Sequence, residues 1–325
     1  MLRSKRGPTR RHVLAGAATT LAMPAIAQAP WPNRPVKVIV PYAPGGATDT
    51  LARPWADKLS QAFGQPFVID NRGGASGMIG AEAAARSAPD GYTLLHCPVA
   101  VLCVTPQLRK LSWEPRRALE PVGRLGDLHC GFVVVNSLGL NTLAELIDYA
   151  KKNPGKLSYG SAGLGSSSHL RIEMLKLRTA TDILHVPYRG SADALNDLLS
   201  GTVQLMNEII VLPHVKAGKL KLLCINHELR NPEFPEVKTL TELGYPNADV
   251  PIWAAIEVPR GTPKDIIQIL SSKMVEIAKS QDMMRRMHEI NVICPTMTPD
   301  EIAEFTEQDY EANGKLIREA KVQLD

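Results

Sequence analysis

Along most of this chain, short runs of β-branched and aromatic residues alternate with stretches in which apolar residues recur every three or four positions. Residues 36–40, 67–70 and 93–96 read as strands, separated by helical stretches near 49–63 and 77–88. After an irregular segment, 97–124, the pattern restarts with 132–135 as a strand, 142–152 as a helix and 157–160 as a strand. Helices at 167–178 and 191–200 then flank a strand around 183–187. Beyond Pro251 helices take over, at 263–281, 282–290 and 299–322, and Thr262 and Thr298 each stand just before a proline suited to a first helical position. Strands interleaved with helices of this length predict an α/β fold built from βαβ units around a parallel sheet. A chain of 325 residues exceeds what one hydrophobic core usually serves, so two domains are expected. The element order fits a chain that builds one lobe, crosses to a second near Cys130 and returns near Pro251. Lobe 1 is then 28–130 with 252–325, and lobe 2 is 131–251.

Two places in this alternation set a glycine-rich, carboxylate-poor loop between a strand and a helix. They are VKVIVPYAPGGATDTLAR, residues 36–53, and LSYGSAGLGSSSHL, residues 157–170. The glycines permit tight turns, and Thr48, Asp49 or Ser166 to Ser168 are placed to cap the helix that follows. A loop of this kind aims unpaired backbone N–H groups at whatever sits above the helix start, where the helix dipole favours negative charge. One such loop in each half predicts a cleft that grips a single anion from both sides.

The first 27 residues read as an export signal. Arg3, Lys5, Arg6, Arg10 and Arg11 precede an apolar stretch, 13–27, and Ala25-Ile26-Ala27 supplies a small-x-small cleavage pattern, with the cut expected after Ala27. Arg10-Arg11 fits a twin-arginine route, with a general secretory signal as the alternative. Five basic and no acidic residues lie before Gln28, so removing them takes the formal charge from +4 to −1. The basic balance therefore belongs to the signal, and no nucleic-acid partner follows from it. Cys97, Cys103, Cys130, Cys224 and Cys294 show no CxxC pair or zinc spacing. They read mainly as small buried hydrophobes, with one disulfide left open.

Catalytic and metal readings find little support. His169 and His185 lack a partner at metal-ligand spacing, so no metal and no cofactor are expected. The serines 161 and 166–168 raise a serine hydrolase, but the GxSxG elbow is absent, and neither loop reads GxGxxG with a later acidic residue.

Four motifs in order, PYAPGGATDTLAR, VIDNRGGASGMIGAEAAA, YGSAGLGSSSHL and HVPYRGSADALNDLLSGTV, resemble the solute-binding proteins of tripartite tricarboxylate transporters, the Bug family. The resemblance runs from about Trp31 to the C-terminus. It implies a type II periplasmic-binding-protein fold, a Venus flytrap of two Rossmann-like α/β lobes joined by two crossover strands, monomeric and cofactor-free. Such a protein captures a small organic acid in the periplasm for a membrane permease; presentation of the acid to a sensor kinase is the alternative. By motif, the first ligand loop is Tyr42, Ala43, Gly45, Gly46, Ala47, Thr48 and Asp49. The second is Ser161, Ala162, Gly163, Gly165, Ser166 and Ser167. Neutral donors at the two helix starts would hold the carboxylate without a buried arginine. Asp49 reads either as a cap or as a pocket contact, Tyr188 and Ser191 border the cleft, and Asn71 reads as fixing its own loop. Trp253 reads as core or as a cover for the cleft mouth. Asn207 and Glu208 sort the rest of the ligand. Glu208 stands where relatives commonly carry Asp and Ile172 where a helix glycine is frequent. A longer carboxylate at 208 would bind a ligand ammonium or hydroxyl, or repel a second carboxylate.

Overall fold

A computed structural model describes residues 31–245 and 252–320. The signal segment, the proposed return point at Pro251 and the end of the last expected helix at Val322 lie outside the described residues. Eleven strands are present among those described: β1 Val36–Val40, β2 Phe67–Asn71, β3 Thr93–Pro98, β4 Leu119–Leu128, β5 Cys130–Val135, β6 Ser158–Ser161, β7 Leu184–Pro187, β8 Leu205–Glu208, β9 Leu220–Asn226, β10 Trp253–Pro259 and β11 Val292–Ile293. They form two sheets, of order β11-β4-β10-β3-β1-β2 and β7-β6-β8-β5-β9.

Neither sheet is fully parallel, which corrects the simple βαβ expectation. β2, β1 and β3 run parallel, as do β7, β6 and β8. The strands beside the two passages between sheets, β4, β5, β9 and β10, pair antiparallel with their neighbours. β4 and β10 were hidden in the sequence for physical reasons. β4, LEPVGRLGDL, carries a proline, two glycines and three charges, and it pairs with β10 through register shifts. β10 is buried along its whole length, so it shows no alternation. The segment expected to be irregular also holds a π-helical turn at Ala100–Val104 and one-turn helices at Thr105–Leu108 and Pro115–Ala118.

Each sheet is covered on both faces. Leu51, Trp55 and Leu59 of the helix Ala47–Phe63 pack with Leu270 and Met274 of Lys264–Ala278 on one face of the six-stranded sheet. Helix Met78–Ala85 and the C-terminal helix Pro299–Ala320 close the other. The five-stranded sheet carries Leu143–Lys152 and Ser167–Thr179 on one face and Ser191–Ser200 on the other. The passages run side by side, since Leu128 N–H donates to the Ile252 carbonyl at 2.9 Å. His129, in the first passage, lies against His227, which follows β9, with ring centroids 3.8 Å apart and the planes tilted by 41°.

The lobes also touch away from these passages. Ile317 of the C-terminal helix packs with Leu170 and Met174 of the second lobe, Arg178 pairs with Glu319 at 2.9 Å, and Asn231 Nδ2 donates to Asn291 Oδ1 at 2.8 Å.

Candidate functional site

The two glycine-rich loops face each other across the interval between the sheets. The first leaves β1, turns at Gly45 with φ +77°, and enters the helix Ala47–Phe63. Only a residue without Cβ adopts that conformation cheaply. Asp49 lies behind the loop, not in the cavity. Its Oδ2 accepts the Gly45 N–H at 2.9 Å and the Arg53 Nε at 2.8 Å, and its Oδ1 accepts from Asn71 Nδ2 at 3.0 Å. Burial pushes the Asp49 carboxyl up, but the donors from Arg53, Gly45 and Asn71 outweigh it and hold the group below the usual carboxylate range. Asn71 also donates to the Tyr42 carbonyl, so it ties the first loop to its helix.

The second loop leaves β6 and enters the helix Ser167–Thr179, capped by Ser166 Oγ, which accepts the His169 N–H at 3.3 Å. Most of its amides are already engaged. Ala162 N–H donates to Ser168 Oγ, Gly163 N–H to Ser161 Oγ, Gly165 N–H to His169 Nδ1 and Ser166 N–H to the Gly163 carbonyl. Ser161 Oγ lies 2.6 Å from His185 Nε2, and His185 stacks on Tyr159 and His169. This pair holds the loop from beneath, and Ser161 does not line the cavity. Among the described residues, no hydrogen bond within the protein takes the N–H groups of Thr48, Ser167 or Ser168, at the first turns of the two helices. Such unengaged amides are fewer than the loop sequences suggest.

The cavity between the loops offers about 50 Å³ to the centre of a water molecule. From the first lobe, Tyr42, Ala47 and Thr48 line it, with His96, Leu51 and Trp253. From the second come Ala162, Ser166, Ser167, Ser168, Arg171, Ser191 and Glu208. Ala43, Gly45, Gly46, Gly163 and Gly165 shape the loops without lining the cavity. Two of them let the lobes approach closely: a Cβ on Gly46 would meet Ser191 Oγ at 3.1 Å, and one on Gly163 would meet Ser76 Oγ at 3.3 Å. Tyr188 turns away, its hydroxyl donating to Asp197 at 2.5 Å. Asn207 is buried beside the cavity, Nδ2 to Asn226 Oδ1 at 3.2 Å. Trp253 is both core and lining: it is fully buried, and Nε1 donates to Asp309 Oδ2 at 2.8 Å.

Arg171 changes the electrostatics expected of this site. It is 1 % exposed, and its Nη2 donates to the Asn207 carbonyl at 2.9 Å, while Nε and Nη1 find no acceptor in the protein. A buried guanidinium with two such nitrogens is a strong site for an anion. The sequence signal was available: Arg171 lies four residues after the Ser167 helix start, on the face that carries Ser167 and Ser168. The neutral loop motif drew attention away from it. Glu208, at the end of β8, is also buried; burial pushes its carboxyl up, while Arg171 and a hydrogen bond from Ser168 pull it down. His96 is buried with neither ring nitrogen partnered in the protein. Burial drives it down to about 3, against a smaller upward pull from Asp49, so it is neutral near pH 7.

Two mixed α/β lobes joined by two adjacent passages, with a cavity between facing helix starts, are the architecture of a solute-binding protein of the periplasmic-binding class. Residues 51–322 match the model of the tripartite tricarboxylate transporter family receptor, and the chain belongs to that family. It is 36% identical over 301 residues to Protein BugT of Bordetella pertussis, covering 90% of this chain and 91% of the relative. Among solved structures, R. palustris Rpa4515 with adipate superposes with a TM-score of 0.87 at 33% identity, over 90% of this chain and 99% of that one. MatC from Rhodopseudomonas palustris with bound malate gives 0.84 at 29% identity, over 88% and 99%. Among the described residues, no helix is long and apolar enough to cross a membrane, and no cluster of three or more His, Cys, Asp or Glu is placed to hold a metal ion.

Proposed function

We propose that this protein is an exported periplasmic receptor that closes its two lobes over a small carboxylic acid and presents it to the membrane permease of a tripartite tricarboxylate-type transporter. The observation that carries this reading is Arg171, a cavity-lining cation with unpartnered donors beside two facing helix starts. The acids named for Rpa4515 and MatC support the same class of ligand. Lobe 1, residues 28–130 and 252–325, would supply the first loop and the apolar wall. Lobe 2, residues 131–251, would supply Arg171, Glu208 and the serine-rich loop. The protein would act as a monomer by recognition and release, with no cofactor, and ligand would favour the closed form to the extent that it binds that form better.

Thermal unfolding of the mature chain, stripped by denaturing and refolding, tests this against a panel of mono-, di- and tricarboxylates with their neutral amides. At about a hundred times its dissociation constant a ligand adds roughly 2.7 kcal/mol, a midpoint shift on the order of 5 to 10 °C for a chain of this size. An acid that stabilises where its amide does not supports the proposal; no shift with any acid overturns it.

A further inference from the structure

The charged groups of the cavity are distributed unevenly between the lobes. Arg171 and Glu208 both belong to the second lobe, and they are linked through the chain, because the Asn207 carbonyl that Arg171 holds immediately precedes Glu208. The first lobe contributes Leu51, Leu128, Ile252 and Trp253 as an apolar wall, with His96 held neutral by its burial. Arg171 is the one cationic side chain lining the cavity among the described residues. A ligand carboxylate placed at Arg171 and the two helix starts therefore uses the positive potential available. What remains of the cavity is apolar on one side and bears the Glu208 carboxyl on the other.

From this placement, and resting on the carboxylate-binding function above, we propose that the site selects a compact monocarboxylic acid carrying a hydroxyl or ammonium donor, with Arg171 as the anchor of its carboxylate and Glu208 as the acceptor of its donor, and rejects dicarboxylates. Away from Arg171 and the helix starts a second carboxylate finds no cation: it meets Glu208, which repels it, or the hydrocarbon wall, which does not solvate it, and serine hydroxyls alone leave its charge unbalanced. The space sets the scale: at about 10 to 15 Å³ per water centre, some 50 Å³ is room for only a few water-sized groups, on the order of a three-carbon acid. Glu208 has the chemistry for either donor. Ionised, it balances an ammonium; protonated, its carbonyl oxygen still accepts from a hydroxyl.

Calorimetric titration of the refolded mature protein with L-lactate, L-alanine, propionate, succinate and L-malate tests this, on the natural chain and on Glu208→Gln. In the natural chain, lactate or alanine binds at least tenfold more tightly than propionate, which lacks the donor, and than succinate or malate. In Glu208→Gln the preference over succinate shrinks at least tenfold. Each preference is a ratio measured on one preparation, so a partly unfolded variant does not imitate the result. Lactate ahead of alanine assigns a hydroxyl partner to Glu208, and alanine ahead of lactate an ammonium. Succinate or malate binding the natural chain as tightly as the best monocarboxylate, or an unchanged ratio in Glu208→Gln, overturns the selectivity while leaving carboxylate capture intact. No binding of any acid overturns both.

Discussion

The N–H of Ala47, first residue of its helix in one lobe, donates to Ser191 Oγ of the other lobe at 3.1 Å. It is a buried hydrogen bond between residues 144 positions apart in sequence, and it spans the cleft beside the cavity both residues line. The same serine takes one first-turn amide out of the set offered to ligand and converts it into a latch. Ser191→Ala leaves that amide unpaired only when the lobes are closed. A neutral hydrogen bond of this kind is worth about 0.5 to 1.5 kcal/mol, so ligand affinity by calorimetry should fall roughly 2- to 12-fold. The unfolding midpoint of the unliganded protein should barely move.

Removing Arg171 should separate binding from stability. Hydrogen bonds to a charged group are worth about 1.5 to 3 kcal/mol each, so Arg171→Met should weaken acid binding by about 10-fold to more than 100-fold. With the lobes closed the guanidinium is buried with a single hydrogen bond within the protein, to the Asn207 carbonyl. A methionine of similar length relieves that desolvated charge but leaves the Glu208 carboxyl without its counter-charge, so the two effects oppose and the unfolding midpoint without ligand should move far less than the affinity does. Differential scanning calorimetry with and without acid reads both effects.

Asp49 should report the rigidity of the first loop through acid stability. Its carboxyl is held below the usual range in the folded chain against the upward push of burial, chiefly by Arg53, the Gly45 amide and Asn71. A depressed carboxyl contributes stability above the unfolded value, near 3.9, and that contribution is lost as pH falls through the folded value. Asp49→Asn should therefore be less stable than the natural chain in urea at pH 6, by about 1 kcal/mol given the exposed Arg53 partner, with the gap closing as pH falls below the unfolded value.

Glu257, in the middle of buried β10, has the opposite sign. Burial, helped by the nearby Glu120, pushes it up to about 8. The folded chain keeps this proton while the unfolded chain releases it, so its effect is to lower stability as pH rises from about 4.5 to about 8, after which the loss levels off. Glu257→Gln mimics the protonated form. It should raise the unfolding midpoint at pH 8 by about 3 °C or more and change it little at pH 4.5.

How much of this was legible beforehand differs between fold and site. Strands β1 to β3 announced themselves as short apolar runs cut off by proline, glycine or asparagine, and the helices after the two loops by their caps and apolar periodicity. β4 and β10 did not, since a strand buried on both faces loses its alternation and a bulged partner tolerates Pro121 and Gly123. The loops were read as donors by motif, yet the structure shows Ala162, Gly163 and Gly165 spending their amides on Ser168, Ser161 and His169. Only side-chain positions decide that. Arg171 was passed over for a related reason. Its place one helical turn inside the start puts it toward the cavity, but whether a guanidinium there reaches solvent or is sealed in depends on the opposite lobe.

Trp253 gives the central claim a direct readout, since it is fully buried and lines the cavity. The decisive measurement is a calorimetric titration, followed in parallel by tryptophan emission, of the refolded mature protein with an acid and with its primary amide. The account predicts one site per chain for the acid, an emission change saturating with the heat, and binding of the amide at least a hundredfold weaker. Equal binding of acid and amide, or acid binding that survives unchanged in Arg171→Met, would contradict a carboxylate held between the lobes at Arg171.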